Sequence, residues 1–120
     1  MIPRRSASLL RDAIRSAAEI EAFTKGQDLG ADLESAMLRA AVERHFTILG
    51  EALGVPRRSD PATAGRILDL ARIVDFRNLL IHDYRGVDSY LVWNIVQTRL
   101  APLAVQIGDL LAQAPPPDAP

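Results

Sequence analysis

The chain has 120 residues, of which 48% are hydrophobic and 24% charged, the composition of one ordinary globular domain with a core. It contains no cysteine, which excludes a disulfide framework, a thiolate metal site and a cysteine nucleophile. The net charge is −1, so nothing draws the whole molecule to nucleic acid, and an RNA site has to be local; all but Lys25 of the 14 basic residues are arginine, including the pairs Arg4-Arg5 and Arg57-Arg58.

Met1-Ile2-Pro3-Arg4-Arg5 lacks the apolar stretch of a signal peptide, and no apolar run approaches the ~18 residues of a membrane span. A cytoplasmic location without a membrane is therefore the expectation. From Ser8 to Thr24, Leu9, Leu10, Ala13, Ile14, Ala17, Ile20 and Phe23 keep helical spacing, and Gly26 stands where a helix-ending glycine belongs. Asp32 is the expected cap of a second helix running to about Leu53. Leu33, Met37, Ala40, Ala41, Ile48 and Ala52 are expected inward on it, Glu34, Arg39 and Glu43 outward, with Gly54 and Pro56 as the stop.

The loop Pro56-Arg57-Arg58-Ser59 then leads to Asp60-Pro61, a cap followed by a proline in the first helical position. Ile67, Leu70, Ala71, Val74 and Ile81 continue a helical period, with a break expected near Ala71 to Ile73 and a helix end near His82. After Arg85-Gly86, Asp88 caps a last helix striped by Trp93, Val96, Leu100, Leu103, Ile107 and Leu110, which Pro102 should kink. The pattern predicts an all-α, up-and-down antiparallel bundle of four main helices plus a short extra one, occupying residues 1–113. The proline-rich residues 114–120 form a tail that is expected to fray. Leu91, Val92 and Ile95 are apolar residues suited to a partner subunit.

The chemistry concentrates in Arg77-Asn78-Leu79-Leu80-Ile81-His82-Asp83-Tyr84. Arginine is always charged and grips phosphate oxygens with a planar fork, and histidine takes and gives protons near neutrality. RNA cleavage without a metal needs a base for the ribose 2′-hydroxyl, an acid for the departing 5′-oxygen and a cation for the charge on phosphorus. Arg77 and His82 supply these groups, but five residues apart they diverge by about 140° on one helix. A self-contained site is therefore disfavoured. Either the helix unwinds at His82, or two copies of the segment meet across a symmetry axis. Asn78, four residues before His82, is placed to orient the imidazole or touch phosphate.

The same residues also suit a plain helix end, with His82 against the carbonyl terminus and Arg77 paired to Asp75 or Asp83. His45 reads as a core-edge histidine, Trp93 as core, and Arg57-Arg58 as a solvated loop.

In its motif and flanks the chain resembles the HepT-like branch of the HEPN superfamily. Arg77-Asn78, three mostly apolar residues, His82, any residue and Tyr84 fit that family's pattern. Ile73-Val74-Asp75-Phe76, Val87-Asp88, Val92-Trp93-Asn94-Ile95-Val96, Ala41-Val42-Glu43-Arg44 and Gly50-Glu51-Ala52 agree at the family's spacing. Where many members carry Pro-Trp, this chain has Asp69-Leu70.

The resemblance implies a helical bundle that forms a homodimer with both Arg-His motifs lining one cleft, and a metal-independent, cofactor-free endoribonuclease acting on an RNA substrate. Arg77 would stabilise phosphate and His82 would transfer protons, with Asn78 and Asp83 in support. It further implies the toxin half of a type VII-like toxin-antitoxin pair, silenced when a cognate MntA-type minimal nucleotidyltransferase antitoxin transfers AMP from ATP to Tyr84. Arg44 and Glu51 match the family at positions to which the resemblance assigns no role; a buried ion pair or helix-interface contact and a cleft contact are the alternatives. Two alternatives stand: a noncatalytic module binding the nucleotidyltransferase or a nucleotide, and a scaffolding or inhibitory member of the pair.

Overall fold

The computed structural model describes residues 2–82 and 86–117, and these are helical throughout their ordered elements. The order is α1 (Arg4–Thr24), α2 (Leu29–Glu34), α3 (Ala36–Ser59), α4 (Pro61–Ala64), α5 (Leu70–His82), α6 (Ser89–Thr98) and α7 (Leu100–Ala112). The four long segments are α1, α3, α5 and the α6–α7 pair, and α2 and α4 are short connectors, so the expected all-α bundle is present with one more short helix and a divided last one.

Helix α1 begins earlier than its hydrophobic period suggests, at Arg4, and ends before Gly26, whose φ of 74° is the left-handed geometry that glycine adopts without strain. Its Ala7, Leu10, Ala13, Ala17 and Ile20 are buried. The second expected helix is two. Asp28 caps α2 through the Ala31 amide, and Ser35 caps α3 by accepting from the Leu38 amide at 3.0 Å. The phase therefore restarts at Ser35, and the face expected inward is largely wrong. Leu33, Met37 and Ala40 are exposed, Ala41 and Ile48 half-buried, and only Ala52 is buried. The core face is Val42, Phe46, Leu49 and Leu53, with Phe46 set edge-on to Phe76 of α5 at 5.3 Å between ring centres. Arg39 and Glu43, expected outward, are half-buried, and Asp32 is buried inside α2 rather than capping a helix.

Pro56 does not stop α3. The helix runs through it to Ser59, so the expected loop at residues 56–59 is the last helical turn. A proline removes one hydrogen bond here, to the carbonyl four residues back, and its buried ring packs in the core instead. Asp60 caps α4 as expected and accepts from Ser6 of α1 at 2.6 Å. The break before α5 falls at residues 65–69, earlier than expected, and α5 is continuous from Leu70. At the place of the family's Pro-Trp, Asp69 pairs with Arg99 at 3.8 Å and Leu70 is buried.

Asp88 caps α6 by accepting from the Tyr90 and Leu91 amides. The kink expected at Pro102 is a full break at Arg99, because a proline in the first turn of α7 needs no donor there but cannot extend α6. Trp93 is buried as core, and so are Val92 and Ile95, which the sequence had offered to a partner; only Leu91 of that trio is exposed. At the start of the tail, Arg11 donates to the Pro115 carbonyl at 2.7 Å. No helix among the described residues is long and apolar enough to cross a membrane.

Candidate active site

Arg77 is built into the contact between α3 and α5. A Cβ added at Gly50 would stand 2.3 Å from Arg77 Cβ and 2.7 Å from Arg77 Cγ, so the two helices touch there only because residue 50 has no side chain. That close approach fixes where the arginine stem begins. Its guanidinium is then held from two sides: Nη2 donates to Glu51 Oε1 at 3.0 Å, and Nη1 donates to Asn78 Oδ1 at 2.9 Å. Nε is enclosed and makes no hydrogen bond to the described residues. A buried donor without a partner costs stability and is uncommon away from functional sites. With five N–H donors in the guanidinium and two engaged, one proton on each terminal nitrogen is left for an incoming oxygen.

Glu51 is the residue whose role the sequence leaves unassigned, and the structure places it as the partner of Arg77. Of the expected local partners, Asp75 does not have that place and Asp83 lies outside the described residues. Asp75 instead meets Arg57 of α3 at 3.0 Å, which makes Arg57 a cross-helix ion pair rather than part of a solvated loop. The prior signal for Glu51 is the agreement of Gly50-Glu51-Ala52 with the family's spacing, since a contact between residues so far apart in the chain leaves no local trace.

Asn78 is drawn to Arg77 rather than to the imidazole. His82 is the last residue of α5 and is exposed. Asp83 and Tyr84 lie outside the described residues. Arg77, Asn78 and Glu51 thus form one cluster, and His82 stands a turn further on with its side chain in solvent.

Next to this cluster, between α1 and α3, lies an open groove of about 550 Å³ lined by Asp12, Arg15, Ser16, His45 and Glu51 among others. His45 holds its core-edge position, with Nδ1 3.3 Å from Ser16 Oγ and its ring 5.5 Å from Phe23. The displaced carboxyl groups lie elsewhere. Burial pushes Asp32 and Glu43 above the ordinary carboxylate range against the pull of Arg39, and Asp60 is lowered chiefly by the Ser6 hydroxyl.

Residues 13–110 match the family described as "Ribonuclease HepT-like". Over 90 residues the chain is 34% identical to the Methanocaldococcus jannaschii protein named "Putative RNase MJ1380", a match covering 75% of this chain and 82% of that protein. No solved structure matches it. A family match over most of the chain, with its Arg77-to-His82 motif on one helix of an all-helical fold, makes this protein a member of the HepT-like ribonuclease family of the HEPN superfamily.

Proposed function

We propose that the protein is a metal-independent endoribonuclease toxin that cuts RNA in a cleft shared by two copies of the chain. The observation that carries this is the fixed guanidinium of Arg77, clamped by Gly50, Glu51 and Asn78 on the helix that ends in an exposed His82. One His82 takes the 2′-hydroxyl proton, and the 2′-oxygen attacks the adjacent phosphorus. The bond from phosphorus to the 5′-oxygen breaks, and the His82 of the second copy gives that oxygen its proton. The products are a 2′,3′-cyclic phosphate and a 5′-hydroxyl, with Arg77 opposing the charge that gathers on the non-bridging oxygens.

Two groups diverging by about 140° on one helix cannot serve one phosphate from the same copy, which is the reason for a homodimer. Leu79 and Ile81, 46% and 41% exposed between the two motif residues, are the apolar surface on which the copies would meet. Control is assigned to Tyr84: its phenol oxygen attacks the α-phosphorus of ATP on an MntA-type nucleotidyltransferase antitoxin, and pyrophosphate leaves. The added phosphate opposes RNA by charge and by bulk, giving a type VII-like toxin-antitoxin pair.

The test is cleavage of RNA in excess chelator, which should persist in the native protein and vanish with Arg77→Ala or His82→Ala. If the native protein leaves RNA uncut and these variants behave identically in growth assays, the chain is a noncatalytic binding module. For Tyr84, intact mass after incubation with the nucleotidyltransferase and ATP should rise by AMP, and Tyr84→Phe should stay unlabelled.

A further inference from the structure

We propose that the groove between α1 and α3 receives a guanine base of the RNA, its base-pairing edge read by Asp12 and Arg15 while the neighbouring phosphate lies on Arg77. The proposal rests on the ribonuclease function above and adds which nucleotide stands beside the cut. Ser16 Oγ lies 3.3 Å from His45 Nδ1, and Ser6 donates to Asp60 at 2.6 Å, so α1 and α3 run antiparallel. Interpolating between these two contacts sets Asp12 roughly level with Glu51. That is where the groove meets the Arg77 cluster, because Glu51 both lines the groove and accepts from Arg77 Nη2.

The groove has the size and lining that a base needs. Its volume of about 550 Å³ falls within the ~300–1,000 Å³ of small-molecule sites. Leu9, Ile48, Ala52 and Val55 give it apolar walls for the flat face of a ring, and the carboxylates of Asp12, Glu19 and Glu51 turn phosphate away. A base enters and its phosphate stays outside. The polar edge then selects among bases. Asp12 and Arg15 form an ion pair at 3.8 Å, which is beyond hydrogen-bonding distance, so a donor and an acceptor stand side by side and their pairing uses no hydrogen bond of either. Guanine is the complement: its O6 accepts from the Arg15 guanidinium, while N1–H and the 2-amino group donate together to the two oxygens of Asp12. Uracil matches the first two positions but sets a carbonyl oxygen against the carboxylate. Adenine and cytosine reverse the order, with an amino group against the guanidinium and a ring-nitrogen lone pair against the carboxylate.

The experiment sequences the ends left when a randomised single-stranded RNA pool is cut by the native protein, by Asp12→Asn and by Arg15→Gln, substitutions at side chains 52% and 75% exposed. With the native protein, guanine should be enriched at one position flanking the cut, on the order of 10-fold over adenine and cytosine, and both variants should flatten that preference. A short RNA carrying this guanine is then compared with one carrying inosine, which lacks only the 2-amino group. The exchange should slow single-turnover cleavage by the native protein on the order of 10-fold and by Asp12→Asn less than about twofold. A merely structural role for Asp12 would slow both RNAs alike.

RNA cut without base preference, a preference for another base, or a guanine preference that both variants keep would overturn the base site and leave the ribonuclease reading intact. Variants that lose cleavage at every sequence equally and sediment as smaller species than the native protein would assign the groove to a subunit contact, which also overturns it. Native protein that cuts no RNA removes both readings.

Discussion

Gly50→Ala tests whether the α3–α5 contact positions Arg77, the arginine proposed to stabilise phosphate. The new Cβ would start 2.3 Å from Arg77 Cβ, whereas carbon atoms settle at roughly 3.5–4.0 Å, so the helices have to separate by more than about 1 Å. The atoms in the way are the root of the arginine stem, which a rotamer change cannot move aside. Overpacking of this kind costs roughly 1–3 kcal/mol, offset by up to about 1 kcal/mol from replacing a helical glycine. Displacing Arg77 by about 1 Å should in turn cost on the order of 100-fold in cleavage rate.

Gly54→Ala, one turn on in the same helix, is the control. Its Cβ would meet Arg58 Nη1 at 3.5 Å and Val74 Cγ1 at 3.9 Å, which are ordinary contacts, so it should stabilise the protein by roughly 0.5–1 kcal/mol and leave cleavage unchanged. Urea titrations and single-turnover cleavage read both effects. A Gly50→Ala protein with the native urea midpoint and cleavage rate would show that the close approach does not position Arg77.

The ion pair of Arg77 with Glu51 is partly exposed, so Glu51→Ala should cost less than about 1 kcal/mol in stability. Loosened positioning should still slow cleavage about 10- to 100-fold, with Glu51→Gln, which keeps the acceptor, falling between; equal rates in all three proteins would remove the clamp from the mechanism. If the proposed dimer forms, Leu79→Asp, at an exposed position, should leave the monomer folded by circular dichroism while sedimentation shows loss of that dimer and RNA stays uncut; an active monomer would refute the shared cleft. The Ser6 hydroxyl, and after it Thr63, holds the Asp60 carboxyl below its ordinary value of 3.8, so this contribution is complete above that pH and is lost as pH falls through the folded-state value. Ser6→Ala should therefore lower the melting temperature at neutral pH, and the gap from the native protein should close in acid; a constant gap would mean that the bond is not linked to ionisation.

Features governed by neighbouring residues were legible before the fold was known. The caps Asp60 and Asp88, the glycine after α1 and the helix carrying Arg77 through His82 follow from local backbone chemistry, and all are present. The inward face of α3 was misread because one helical period was fitted across Ser35, where the chain stops and restarts the helix. Asp28, Asp32 and Ser35 are all competent caps, and packing decides among them. Pro56 and Pro102 were misjudged for related reasons: a buried ring repays one lost hydrogen bond inside α3, and a first-turn proline divides α6 from α7 instead of bending one helix. The partner of Arg77 comes from another helix, and no spacing rule within one segment reaches it.

That division bears on how the site works. Among the described residues, Gly50 sets the root of Arg77, Glu51 and Asn78 take a terminal nitrogen each, and Nε is enclosed. The cation proposed to meet the developing phosphate charge is thus held in place within the single chain, as electrostatic stabilisation requires. His82 is left exposed at the end of α5. A proton-transfer group gains from being placed late, because its partner atoms exist only when RNA is bound, and a second copy that buries Leu79 and Ile81 would order it at that moment. Monomer folding would then set the strength of phosphate stabilisation, and dimerisation would set whether a proton can move. Variants at Gly50 and Glu51 should slow a dimer that still forms, whereas Leu79→Asp should leave the Arg77 cluster intact in a chain that cannot cut. If all three perturbations instead changed dimerisation and rate in parallel, the two contributions would not be separable, and the preorganised monomer would be the wrong description of this enzyme.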